Sequence, residues 1–202
     1  MSDSTFFQSY DVVLFDLDNT LYAEKDYLYA AYRTIGEKLT QLYPELNSEA
    51  IRTFLIHTFE TAGREQLFNK LIVHFNLQQI EIDQLLLWMR EVELPEKLLL
   101  FPTSQALLIQ ALSQSKVFVI TNGNVLQQQN KVNHIDWGGL RKHIEVIYAN
   151  ATKPKPAPDS FQSLQIPSHL KCLYIGDTET DQLFARNCGI DFRFIQEFNS
   201  EN

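Results

Sequence analysis

Five short apolar runs constrain this chain more than any other feature: residues 12–17, 117–120, 144–148, 173–175 and 192–195. Each is about strand length, and each is nearly continuous in apolar residues rather than alternating, which suits strands buried on both faces of a parallel sheet. Helical patterns such as 104–113 and 160–165 separate them. Strands that alternate with helices predict an α/β sheet with right-handed crossovers.

One stretch breaks the rhythm. Residues 22–97 contain no convincing strand and four helical patterns in succession. In 27–43 the apolar positions Leu28, Ala31, Tyr32, Ile35, Leu39 and Leu42 follow helical spacing and stop before Pro44. Ser48 is the expected N-cap of a second helix over 50–60. Gly63 then punctuates, 64–75 forms a third pattern, and 82–92 a fourth before Pro95. The chain therefore reads as an α/β core, 1–21 and 98–202, interrupted by a small helical insert, 22–97. No repeat, low-complexity tract or Gly/Ser linker is present, so both crossings should be short.

Composition excludes several classes of function. With 17 Lys+Arg against 25 Asp+Glu, the net charge of −8 lacks the footprint of a protein that grips a nucleic-acid polymer. Apolar stretches such as 98–101 fall far short of the roughly 18 residues of a membrane span. Residues 1–10 contain no Lys or Arg, unlike the start of a secretory signal, and the two cysteines, Cys172 and Cys188, have no zinc-like spacing. A cytoplasmic protein with reduced thiols is expected, Cys172 lying in the core.

Chemistry gathers where the runs end. The first ends in Asp16-Leu17-Asp18-Asn19-Thr20-Leu21, two carboxylates two residues apart at the edge where α/β sheets bind ligands. Such a pair repels itself unless a cation, a proton or a function separates the charges, although a solvated strand end with an Asx turn at Asn19 has the same sequence. The fourth run ends in Gly176-Asp177-Thr178-Glu179-Thr180-Asp181. Three or four carboxylates from adjacent strand ends make a hard oxygen site suited to Mg²⁺ with waters and a phosphate. The second run ends in Thr121-Asn122-Gly123, where a hydroxyl and free backbone N–H groups could cup an anion. After the third comes Lys153-Pro154-Lys155-Pro156, a proline-stiffened loop that presents lysines.

In this order, these four segments resemble the motifs of the haloacid dehalogenase superfamily of phosphohydrolases. The resemblance spans 12–195, and the insert looks like the helical cap of that family's first cap class. It implies a three-layer α/β sandwich with strand order 3-2-1-4-5. Carried onto this sequence, it makes Asp16 the nucleophile that forms an aspartyl-phosphate and Asp18 the general acid/base. It assigns Mg²⁺ to the Asp16 carboxylate, the Asp18 carbonyl and Asp177. Thr121, with the backbone of Asn122 and Gly123, would bind phosphoryl oxygens. A lysine of the third motif would neutralise the nucleophile's surroundings, with Asp181 orienting it.

Both Lys153 and Lys155 fit the short pattern. Lys155 is preferred because the family's aromatic six residues on is met by Phe161, whereas Asp159 stands there for Lys153. Asp18 favours phosphate chemistry over dehalogenation, and Asn19, where mutases typically carry glycine, favours hydrolysis over transfer. The motif is similar to those of nucleotide and small-metabolite phosphatases, including pyrimidine 5′-nucleotidases. A small phosphorylated metabolite is the expected partner, and Arg64, in the turn at 61–64, its expected contact in the cap. A phosphotransferase or mutase, and a low-turnover binding protein, are the competing readings. His57 and His74 are read as ordinary helix residues, and Trp88 and Met89 as core.

Overall fold

The computed structural model describes residues 6–199. The first half of the N-terminal stretch read for export and the last three residues lie outside the described residues. In chain order, a 3₁₀ turn (Phe6–Ser9) precedes β1 (Val12–Phe15), α1 (Glu24–Leu42), α2 (Ser48–Ala62), α3 (Leu67–His74) and α4 (Ile82–Arg90). There follow β2 (Leu98–Leu99), α5 (Pro102–Leu112), β3 (Lys116–Thr121), α6 (Val125–His134), β4 (Ile135–Asp136) and β5 (Ile144–Tyr148). The chain then runs through α7 (Asp159–Gln162), β6 (Cys172–Gly176), α8 (Glu179–Cys188), β7 (Asp191–Phe194) and α9 (Ile195–Asn199). Two compact units result: Lys25–Glu96 forms one, and the residues before and after it form the other.

In the discontinuous unit, five parallel strands pair in the order β5-β3-β1-β6-β7, which is the 3-2-1-4-5 order of the five apolar runs. Register aligns Leu14 with Phe118 and Tyr174, so alternate residues stack in rows on each face. One face, with Val12, Leu14, Phe118, Ile120, Cys172 and Tyr174, packs on Phe184 and Ala185 of α8 and on Phe161 and Leu164 near α7. The opposite parity, Val13, Phe15, Val117, Val119, Leu173 and Ile175, is equally buried. Both faces are therefore covered, as continuous apolar runs require, and the unit is a three-layer α/β sandwich.

The first run was expected to extend to Leu17, but β1 stops at Phe15 because Asn19, at φ 59°, turns the chain back so that Tyr22 bridges to Asp18 and Leu100. The fifth strand likewise ends one residue early, Ile195 opening α9. A two-residue parallel pair, β2 with β4, was not foreseen.

In the helical unit, the buried stripe of α1 (Leu28, Ala31, Tyr32, Ile35, Leu39) follows the predicted spacing, but Leu42 is exposed. The N-cap of α2 is Asn47, not Ser48: Asn47 is extended and its Oδ1 accepts from Ala50 N at 3.0 Å, so Ser48 becomes the first helical residue. Gly36 permits the close approach of α1 to the start of α2, since a Cβ there would lie 2.6 Å from the Ser48 carbonyl oxygen. Trp88 and Met89 are half-buried rather than core, and Lys38 Nζ lies 5.5 Å from the Trp88 ring. Phe54 stacks on His74 at 4.4 Å.

Candidate active site

The carboxyl ends of β1, β3 and β6, with the loop after β5, converge at Asp16. Lys155 Nζ donates to Asp16 Oδ1 at 2.5 Å, Asp181 Oδ1 at 2.6 Å and the Tyr174 hydroxyl at 2.8 Å. All four residues are buried. Burial alone would pull the lysine down, but the two carboxylates more than compensate and hold the ammonium above its ordinary range. Lys153 lies elsewhere, exposed and paired with Asp159 at 3.1 Å.

Burial pushes Asp16 up to about 7 against the pull of Lys155, with Asp181 and Asp18 adding to the rise. Burial and the charge of Asp181 likewise push Asp177 up to about 6. Carboxylates strained in this way favour a cation. Oxygens of Asp16, Asp177 and Asp181 lie within 4.8 Å of one another. Asp181 is already engaged: Oδ1 by Lys155, Oδ2 by the Thr178 hydroxyl at 2.6 Å and the Thr178 N–H at 3.2 Å. Asp16 and Asp177 are thus the carboxylates best placed to hold a hard divalent ion, and the site fits one.

Local sequence explains these placements. Thr178 and Asp181 form a capping box at the start of α8, which aims Asp181 back at the strand ends. Gly176 makes room, because a Cβ there would lie 2.6 Å from the Asp181 Cβ. Thr20 is buried, donates to Asp177 Oδ1 at 3.3 Å and is held by Ser104, whose hydroxyl donates to the Thr20 carbonyl at 2.6 Å.

Asn122 braces the lysine loop in both directions: its Nδ2 donates to the Lys155 carbonyl at 3.0 Å and its Oδ1 accepts from Lys155 N at 2.8 Å. The Gly123 N–H was expected to be free. It donates instead to Asn150 Oδ1 at 2.9 Å, since the residue two past β5 reaches across to the end of β3. Thr121 is buried, and its Oγ1 accepts from Gln128 Nε2 at 2.6 Å.

Asp18 is more heavily bonded than sequence suggested. Its carboxylate accepts from Lys131 Nζ at 2.9 and 2.7 Å, from Gln128 Nε2 at 2.8 Å and from the Tyr22 hydroxyl at 2.6 Å. Lys131 also donates to Glu24 at 3.0 Å. Sequence reasoning missed Tyr22, Glu24, Gln128, Lys131, Asn150 and Tyr174. The buried residues of α6, Gln128, Lys131 and Val132, share one face, and that spacing was the available signal.

Arg64 belongs to the helical unit. It is exposed just after α2, with its guanidinium 5.9 Å from the Phe59 ring. Cys172 and Cys188 are free thiols, Cys172 buried, and burial pushes Cys188 up to about 12. No helix among the described residues is long and apolar enough to cross a membrane.

The acidic cluster sits at the carboxyl edge of the parallel sheet, where α/β folds of this layered class bind their ligands. The chain belongs to the haloacid dehalogenase-like hydrolases, whose family model matches residues 13–195. Among solved structures, it is similar to CbbY from Rhodobacter sphaeroides in complex with xylulose-(1,5)bisphosphate, at 16% identity over 92% of this chain and 85% of that one, with a TM-score of 0.57. It also resembles a HAD phosphatase from Thermococcus onnurineus (20% identity, 90% and 84% covered, TM-score 0.54). YfnB from Bacillus subtilis, solved bound to magnesium, is similar as well (21% identity, 91% and 85% covered, TM-score 0.54). At these identities the likeness is one of fold. No curated protein sequence matches the chain significantly.

Proposed function

We propose that this protein is a Mg²⁺-dependent phosphomonoester hydrolase of a small soluble phosphorylated metabolite, working through an aspartyl-phosphate. The observation that carries this reading is the buried Asp16, fixed by an ammonium that Asp181 and Tyr174 hold in place. A nucleophile so constrained needs no reorganisation to attack.

In this reading an Asp16 oxygen attacks phosphorus, the ester P–O bond breaks, and Asp18 supplies the proton to the departing alkoxide. Asp18 then takes a proton from the water that hydrolyses the acyl phosphate, releasing inorganic phosphate. The Thr121 hydroxyl and the Asn122 N–H bind phosphoryl oxygens, joined by the Gly123 N–H on release from Asn150. Lys155 balances charge beside Asp16, and Asp181 orients it. Mg²⁺ held by Asp16, Asp177 and the Asp18 carbonyl would supply charge neutralisation between nucleophile and phosphate.

The helical unit acts as the cap, with Arg64 contacting substrate, and the protein works in the cytoplasm. Sugar phosphates and nucleotides are the substrate classes, the former supported by the bisphosphate bound to CbbY and the latter by the first-motif sequence. The test is phosphate release from a panel of nucleotides, sugar phosphates and an aryl phosphate, with Mg²⁺ or EDTA. Metal-dependent release that Asp16→Asn abolishes is expected. Release that survives Asp16→Asn overturns the reading, and transfer to an added sugar in place of water assigns a phosphotransferase.

A further inference from the structure

Asp18 is held in a way the first motif does not explain. Its two oxygens receive four hydrogen bonds, and the two that fix its plane come from one ammonium, Lys131 Nζ. Lys131 is 2% exposed, on α6, and reaches the motif from 113 residues away in sequence. A buried ammonium needs more than one carboxylate to offset its lost hydration, and Glu24 supplies the second, itself only 5% exposed. One turn before Lys131 on the same helix, Gln128 Nε2 contacts both Asp18 Oδ2 and Thr121 Oγ1. The carboxylate is therefore tied on one side to a charged anchor and on the other to the hydroxyl of the second motif.

We infer that Lys131 is a positioning residue for the acid/base carboxylate, with Glu24 as its anchor and Gln128 as the strut that sets Asp18 against Thr121. This rests on the phosphatase reading above, in which Asp18 protonates the leaving oxygen. In this reading Lys131 acts through Asp18, whose two oxygens it holds. Without the ammonium, Asp18 is left with one bond to each oxygen, from Tyr22 and from Gln128, which no longer fix its plane, and a displacement of about 1 Å in a catalytic group costs on the order of 100-fold in rate.

The test uses two aryl esters of similar shape, p-nitrophenyl phosphate, whose leaving group departs without a proton, and phenyl phosphate, whose leaving group needs one. For Lys131→Met, kcat/KM on phenyl phosphate should fall about 100-fold, the scale of general acid catalysis, while p-nitrophenyl phosphate stays within a few fold. If Lys131→Met fails to fold because Glu24 is left unpaired, the double variant Lys131→Met/Glu24→Gln removes both charges and should show the same split. Adding Lys131→Met to Asp18→Asn should cause no further loss on phenyl phosphate. Equal losses on both esters, no loss on either, or an additive loss in the Asp18→Asn background each overturn the inference. Asp16→Asn runs alongside: its silence on both esters keeps the phosphatase reading standing whatever Lys131 does, and its activity would bring down both.

Discussion

Two lysines of the same unit are buried alike and used differently. Lys155 is shared between Asp16 and Asp181 at 2.5 and 2.6 Å; Lys131 is shared between Asp18 and Glu24 at 2.7 and 3.0 Å. Around Lys155 every partner is enclosed, whereas Asp18 keeps 19% of its side chain exposed. In the proposed reading, the enclosed cation serves the carboxylate that meets phosphorus with little water present. The other serves the carboxylate that reaches both a leaving group and a water molecule. The same device, an ammonium between two acids, thus sets a dry site in one place and a wet one in the other.

The largest expected effect falls on the dry side. Lys155→Met leaves Asp16 and Asp181 facing each other without a cation, so turnover should fall by about 10²–10³-fold and stability by about 3–5 kcal/mol. Phosphate-release kinetics and urea unfolding measure the two. Lys131→Met/Glu24→Gln, which leaves no buried charge unpaired, should cost less stability, because Asp18 retains Tyr22, Gln128 and solvent. Equal losses would erase the distinction between the two lysines.

Next comes pH. Asp16 and Asp177, raised to about 7 and about 6 from an ordinary 3.8, keep protons in the folded chain that the unfolded chain has already released. Their contribution favours folding at the acid end and is lost as pH rises through the folded values. In EDTA, the denaturant midpoint should drop between about pH 5 and about pH 7.5, and Mg²⁺ should recover it most at the upper end. A midpoint that rises over that range would contradict the assignment of strain to the Lys155 side.

Gly176→Ala should sharpen the contrast, since the added methyl pushes Asp181 away from Lys155 while leaving Lys131 untouched. A loss of about 1–3 kcal/mol is expected in unfolding, the usual scale of overpacking. The smallest effect belongs to Lys153, the other lysine of the same loop. Its exposed pair with Asp159 should be worth about 0.5 kcal/mol or less, and Lys153→Ala should leave turnover unchanged.

The same contrast explains what the sequence could reveal. β1, β3 and β6 announce themselves because strands covered on both faces must be continuously apolar, and their polar ends then stand out. Asp16, Asp177 and Lys155 were legible as the ends of such strands or as part of a proline-stiffened loop. Lys131 and Gln128 were not, because Val-Leu-Gln-Gln-Gln-Asn-Lys in α6 has the composition of a solvated helix. The spacing of Gln128, Lys131 and Val132 marks one face of the helix, but that this face meets Asp18 and Thr121 is a fact that no local window contains. Glu24 was hidden for the same reason. The β2 and β4 pair, two residues each, is too short to show any periodicity.

The brace at Asn122 has a consequence for the chemical ageing of the molecule. Asn122-Gly123 is the dipeptide in which an asparagine amide is most readily attacked by the nitrogen that follows it, closing a succinimide and losing ammonia. Here both reactants are occupied: the amide is bonded on both sides to the Lys155 backbone, and the Gly123 N–H is given to Asn150. Folding therefore shields this step. If it occurred, the carboxylate it left could still accept from Lys155 N but could not donate to the Lys155 carbonyl, and the loop that carries the lysine would lose half of its clasp.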